Sequence, residues 1–113
     1  MATHYKLDSV NELAGNDQDF VMALAATFIE EVPEDAERLK KAVPLEDYEE
    51  AYQAAHKMKP TIKLFGLEAY DELIEVQDWG KFRQTDKNID AQLQKVLTAV
   101  EKATAEIKFD FNL

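Results

Sequence analysis

Apolar residues recur three and four positions apart along most of this chain, which is the spacing of one face of an α-helix. The spacing predicts four long helices, with apolar positions at Val21, Leu24, Phe28, Val32, Ala36, Leu39 and Val43; Tyr48, Ala51, Ala55, Met58, Ile62 and Phe65; Leu67, Tyr70, Leu73, Ile74, Val76 and Gln77; and Ile89, Leu93, Val96, Val100, Ala103 and Ile107. Each apolar face can be buried only against the others. The pattern therefore predicts an all-α fold, an antiparallel four-helix bundle.

Polar residues and glycines between these stripes indicate where the helices begin and end. Ser9 and Glu12 have the spacing of a capping box, which predicts a short additional N-terminal helix that ends near Gly15. Side chains that accept hydrogen bonds from free amides are expected to begin the other helices, and a glycine is expected to end the fourth. These residues are Asn16, Asp47 and Asp86 as caps and Gly80 as the stop.

Two prolines fall inside predicted helices, where proline removes a backbone donor and crowds the preceding turn. Pro33 leaves two alternatives open, a kink in the second helix or a new helix with the proline in its first turn. Pro60 lies within the unbroken stripe from Tyr48 to Phe65, so one continuous helix is predicted there. We expect a bend near His56, with its carbonyl turned to solvent and its imidazole still on the surface.

Composition supports the same fold class. Of the 113 residues, 46% are hydrophobic and 32% are charged, which is typical of a globular chain and predicts a single domain spanning residues 1–113. Only three glycines and three prolines are present, whereas sheet-rich folds need more turn residues.

Charge and residue usage narrow the classes of partner. The formal net charge of −10 disfavours nucleic acid and anionic membranes, because both would repel the chain. The absence of cysteine excludes disulfides and thiolate metal sites. No apolar run is long enough to cross a membrane, and the first residues lack the apolar segment of an export signal. The cytoplasm is the expected location, and other proteins are the expected partners.

Few residues could carry chemistry. No Glu-x-x-His motif is present for a di-metal site in a bundle, and isolated glycines cannot form a phosphate-binding loop. No metal site and no bound cofactor are therefore expected. The chain has two histidines, and His4 falls in a terminus that is expected to fray, which leaves His56 as the candidate nucleophile.

The helical period places His56 about 100° from Ala55, at the edge of the third apolar stripe and partly exposed. Lys59 lies nearer the core on the same flank, and Lys63 lies beside the histidine. With Lys57 they form a positive cluster on an acidic chain, where an anion could be tolerated. Residue types alone favour a solvated helix face over a functional site.

The segment AAHKMKPTIKLFG, from Ala54 to Gly66, changes this balance because it resembles the signature of histidine-containing phosphotransfer (HPt) domains. That signature has alanine before the phospho-accepting histidine, then an apolar residue two positions later, lysine at three, usually glycine at four and glycine at ten. Here those positions hold Ala55, His56, Met58, Lys59, Pro60 and Gly66. The resemblance covers nearly the whole chain, and proline in place of the usual glycine is its one departure.

The resemblance implies a helical bundle without kinase activity of its own, which carries a phosphoryl group between the receiver domains of response regulators, including those of hybrid sensor kinases. His56 would accept the phosphoryl group on Nε2. Lys59 and, at longer range, Lys63 would stabilise it, and the receiver would supply Mg²⁺. Pro60 and Gly66 would support the motif.

The chain is expected to act as a monomer, and exposed apolar side chains around His56 are expected to dock the receiver. Leu64, opposite the apolar stripe, is one candidate for this docking patch. The alternative is a helical adaptor, or a degenerate docking module that binds receivers without being phosphorylated.

Overall fold

The computed structural model describes residues 4–113. No export signal was expected in the first residues of the chain, and residues 1–3 of that stretch lie outside the described residues. The described chain forms five helices and no strand: α1 Asp8–Ala14, α2 Gln18–Ala42, α3 Tyr48–Leu64, α4 Tyr70–Lys81 and α5 Asp90–Phe111. The predicted all-α four-helix bundle with a short additional N-terminal helix is confirmed. Within residues 4–113, no helix is both long and apolar enough to span a membrane.

The four long helices form a closed ring in which neighbours along the chain are also neighbours in space. α3 packs against α2 and α4, α5 packs against the same two helices, and α1 packs against α2. Short loops join the long helices, so consecutive helices run antiparallel. The predicted stripes of α3 and α5 are buried along their whole length, and the largest fully buried side chains are Phe28, Phe65, Leu39, Met58, Ile62, Leu73, Ile89 and Ile107.

Both prolines lie inside continuous helices. Pro33 is within α2, so no new helix begins there, which excludes the second of the two alternatives. Pro60 is within α3, so the prediction of one continuous helix is confirmed. The two halves of each helix bury one shared apolar face, and this tertiary packing outweighs the loss of a single backbone hydrogen bond.

Two predicted helix ends are confirmed. The Asp47 side chain accepts a hydrogen bond from Glu50 N at 3.2 Å, which caps α3. Gly15 ends α1 in a left-handed conformation with φ of 61°. Gly66, at φ 61°, also follows α3, and Leu67 N donates back to Ile62 O. A residue with a Cβ is disfavoured in that conformation, which explains the glycine at the end of the motif.

Three predicted caps are wrong. α1 begins after Leu7 without a side-chain cap, so Ser9 lies inside the helix. Asp17 rather than Asn16 caps α2, by accepting from Asp19 N and Phe20 N. At α2 the polar residues Asn16 and Asp17 are adjacent, and the cap is Asp17, which directly precedes the first helical residue Gln18.

The same competition decides the start of α5. Asn88 Oδ1 accepts from Asp90 N at 2.9 Å, whereas Asp86 lies in the loop between α4 and α5. The helix begins at Asp90 because Ile89 is already buried against the core.

The segment of residues 4–6, which we call the N-terminal strap, joins α3 to α5. Lys6 N donates to Phe65 O at 2.7 Å at the end of α3. Tyr5 Oη donates to Asp110 Oδ2 at 2.6 Å, and burial together with this carboxylate raises the pKa of Tyr5. His4 donates from its backbone to Glu106 at 2.9 Å, and its Nδ1 also contacts that carboxylate. The expectation that His4 lies in a frayed terminus is therefore wrong.

Candidate functional site

His56 lies on the outer surface of α3 and is exposed to solvent, as the helical period predicted. Its neighbours Ala54 and Ala55 are fully buried. Small side chains at these positions let α3 pack closely against the other helices, while the imidazole remains at the edge of the buried face. The histidine is therefore accessible and is carried by a rigid helix.

One ring nitrogen of His56 is held by Gln77 of α4. Gln77 Oε1 lies 3.2 Å from His56 Nδ1, and the glutamine is only 8% exposed. An amide oxygen accepts hydrogen bonds and cannot donate them, so of the two neutral tautomers of the imidazole this contact favours the one with its proton on Nδ1. Nε2 then carries the lone pair.

Gln77 belongs to the fourth predicted stripe, and no role was predicted for it from the sequence. A polar residue on an otherwise apolar stripe is the signal that could have identified it, because a buried amide needs a hydrogen-bonding partner. The identity of that partner could not be read from the sequence, since His56 is on another helix.

Gly80 brings α4 close enough to α3 for this contact. A Cβ at this position would stand 2.6 Å from Tyr48 O and 2.8 Å from Tyr52 N, closer than side chains pack. The predicted helix stop at Gly80 is wrong, because α4 continues to Lys81 and Gly80 is buried within it. Its glycine is required by the close approach of two helix backbones.

The face of the imidazole is covered by Tyr52, one turn before His56 on α3. The two rings are stacked, with centroids 5.5 Å apart and an angle of 27° between their planes. Tyr52 is half-buried. The histidine ring therefore has a contact in its plane and another on its face.

The three lysines of the cluster have different surroundings. Lys59 is half-buried one turn after His56, and no carboxylate of residues 4–113 lies within ion-pair distance of it. Lys63 is exposed, with its Nζ 6.0 Å from the centre of the Tyr70 ring. Lys57 turns away towards α2. Among the described residues, Lys59 is thus the lysine of the cluster that neither a carboxylate nor an aromatic ring engages.

Lys57 belongs to an ion-pair network between α2 and α3. Its Nζ is 3.4 Å from Asp35 Oδ1, and this carboxylate is almost completely buried. Arg38 also binds Asp35, at 3.2 Å, and binds both carboxylate oxygens of Glu50 at 2.8 and 3.0 Å. The hydrogen bonds from Arg38 lower the pKa of Glu50. The carboxylates of Glu50 and Asp35 in turn raise the pKa of Arg38. Lys57 therefore helps to hold α3 against α2.

Other residues singled out from the sequence lie at the edge of the site or outside it. Pro60 is exposed one turn beyond His56. Leu64 is half-buried and packs against the core, so it is not the exposed apolar side chain expected for docking. Among residues 4–113, the exposed large apolar residues are instead Leu13, Phe20, Met22, Leu45, Phe82, Phe109 and Leu113. Across the described part of the chain, no cluster of three or more histidine, cysteine or acidic side chains could hold a metal ion.

The described chain is a four-helix bundle that presents His56 on its surface, one turn from Lys59, an arrangement that is compatible with a histidine phosphotransfer protein. A family model of the Hpt domain matches residues 23–103, which is most of the chain. The chain therefore belongs to the Hpt domain family, and it has the phosphotransfer role in a phosphorelay for which that family is defined. No curated protein and no solved structure matches the chain at a significant level.

Proposed function

We propose that His56 is the phospho-accepting residue of this Hpt domain, taking the phosphoryl group from a receiver aspartate and passing it to a second receiver. The observation that carries the proposal is the contact between Gln77 Oε1 and His56 Nδ1, because it leaves Nε2 as a nucleophile at an exposed position. Family membership supports it, since Hpt domains act together with receiver domains.

In the transfer, the Nε2 lone pair attacks the phosphorus of the receiver's aspartyl phosphate. A nitrogen–phosphorus bond forms as the acyl oxygen–phosphorus bond breaks, and the aspartate leaves as a carboxylate. The Nδ1 proton stays on the ring, where Gln77 accepts its hydrogen bond, so no general base is needed. The return step is the reverse attack by a receiver carboxylate.

Phosphoryl transfer depends mainly on positioning and on stabilising charge, and few protein groups are required. Lys59 would place an ammonium beside the phosphoryl oxygens, and Lys63 would add attraction at longer range. Pro60 keeps the surface beyond His56 compact for the approaching receiver. Mg²⁺ would be supplied by the receiver, and this chain would need no cofactor and no kinase activity.

The domain organisation, the location and the partners of the chain are proposed on the same basis. Residues 1–113 would act as one monomeric domain, because the described helices share one core. Its location would be the cytoplasm, and its partners would be receivers, including those of hybrid kinases. The net charge of −10 supports protein partners over nucleic acid or membranes.

Incubating the chain with a receiver phosphorylated in advance tests the proposal. We expect label on this chain that is stable in base and labile in acid, as a phosphohistidine is, and we expect none on His56→Gln. Circular dichroism should show that the variant keeps its helices, because His56 lies outside the core. Undiminished labelling of His56→Gln would overturn the assignment. Binding of receivers without labelling of the parent chain would favour the docking module.

A further inference from the structure

We propose that Tyr52 is a second positioning residue for His56, acting on the face of the imidazole that Gln77 does not reach; this inference rests on the proposed function of His56. The two rings are stacked at 5.5 Å with 27° between their planes. Gln77 Oε1 contacts a nitrogen on the edge of the imidazole, at 3.2 Å from Nδ1. The two contacts constrain different motions of the ring.

The hydrogen bond to Gln77 selects the tautomer but does not by itself fix the ring plane. Rotation of a histidine ring about its Cβ–Cγ bond has broad minima, so an exposed imidazole samples a range of orientations. An aromatic ring stacked on one face narrows that range. With both contacts in place, Nε2 points in one direction, which is the alignment that in-line attack on phosphorus requires.

The backbone of Tyr52 is held in place by the same close contact that positions Gln77. A Cβ on Gly80 would stand 2.8 Å from Tyr52 N and 3.1 Å from Tyr52 Cβ, so α4 presses directly against this residue. Tyr52, Gln77 and Gly80 therefore form one packed unit between α3 and α4. Movement of either helix would disturb both contacts to His56.

The ring, and not the hydroxyl, is the part of Tyr52 that makes this contact. Among residues 4–113, no hydrogen bond joins the Tyr52 hydroxyl to another group. The aromatic face also attracts positive charge. After transfer the imidazole carries a proton on Nδ1 and phosphorus on Nε2, so its ring is more positive than before, and stacking would favour the phosphorylated state as well.

The test compares Tyr52→Leu, Tyr52→Met and Tyr52→Phe in the full chain, with Tyr70→Leu as the matched control. Tyr70 is another half-buried tyrosine, and its ring contacts Lys63 rather than His56. Two readouts are used, the ¹⁵N chemical shifts of the His56 ring nitrogens and the rate of phosphorylation by phosphoramidate. Neither readout requires a receiver.

We expect Tyr52→Leu and Tyr52→Met to move the ring-nitrogen shifts towards a mixture of tautomers and to slow phosphorylation about 2- to 10-fold, the range set by aromatic pair energies. Tyr52→Phe and Tyr70→Leu should behave as the parent. The proposal is overturned if the Tyr52→Leu and Tyr52→Met variants fold and keep the ring-nitrogen shifts and the phosphorylation rate of the parent. It is also overturned if Tyr52→Phe slows phosphorylation as much as Tyr52→Leu does. A parent chain that phosphoramidate does not label would instead refute the role of His56, while the shifts alone would still decide the role of Tyr52.

Discussion

Replacing Gly80 with alanine tests the close contact between α3 and α4 on which the geometry of His56 depends. The new Cβ would meet two backbone atoms, Tyr48 O at 2.6 Å and Tyr52 N at 2.8 Å. Ordinary contacts begin at 3.4 Å, so the helices must separate by roughly 0.6–0.8 Å, an overpacking strain of about 1–3 kcal/mol. Alanine recovers about 1 kcal/mol through its better helix propensity. The free energy of unfolding should fall by about 0–2 kcal/mol, lowering the Tm by up to roughly 10 °C.

The contact between His56 and Gln77 is more sensitive than the fold. Their atoms are 3.2 Å apart, and a separation of this size carries them beyond roughly 3.5 Å, where a hydrogen bond is no longer made. A lost hydrogen bond of about 1 kcal/mol corresponds to a phosphorylation rate about 5-fold lower. The ¹⁵N shifts of the His56 ring should show a smaller population protonated on Nδ1.

Gly15→Ala is the matched control for a loss of stability that does not involve the site. A Cβ on Gly15 meets nothing within 4 Å, but its φ of 61° costs an alanine about 1–2 kcal/mol. This variant should lower the Tm and leave the shifts and the phosphorylation rate of His56 unchanged. The reasoning is refuted if Gly80→Ala keeps the shifts and the rate of the parent, or if Gly15→Ala changes them as much.

Three further predictions concern the surroundings of His56. Lys59→Ala should slow transfer in both directions with little change in Tm, and Lys63→Ala should have a smaller effect that salt suppresses; rates measured at two ionic strengths would show a reversed order if this ranking is wrong. Pro60→Gly should preserve transfer, because both residues leave room for a receiver, and a folded variant without label would contradict that steric account. Stability from the pair of Glu50 with Arg38 should be present above the ordinary Glu50 pKa of 4.5 and be lost as the pH falls through the lowered value of the folded state. Glu50→Gln should therefore flatten the dependence of the urea midpoint on pH. A dependence as steep as that of the parent would contradict the stabilising role of this pair.

The apolar stripes could be predicted from the sequence because burial imposes the helical period directly on residue types. Every predicted apolar position of α3, from Tyr48 to Phe65, is buried in the structure. The exposed position of His56 followed from the same geometry. Local spacing alone was therefore enough for the fold class and for the face that carries the candidate nucleophile.

Contacts between different helices could not be predicted in this way. Gln77 reaches His56 from α4, so no local spacing relates the two residues, whereas Tyr52 lies one turn from His56 on α3. Gly80 was interpreted as a helix stop because glycine ends helices and also lets them pack closely, and sequence gives no means of choosing. Lys57 was grouped with the site, although Asp35 on α2 engages it.

The N-terminal strap of residues 4–6 has a mechanical consequence for the bundle. Four helices that contact one another only around a ring can slide along their axes, because each helix–helix contact permits some sliding. The strap runs from Phe65 of the α3 terminus to Glu106 and Asp110 of α5, and so connects helices on opposite corners of the ring. Because the N-terminal strap connects α3 to α5 directly, it opposes the sliding of these helices at that end of the bundle. Sliding of α3 along α4 would change the distance between His56 and Gln77, and a segment remote from the histidine therefore helps to keep its orientation constant.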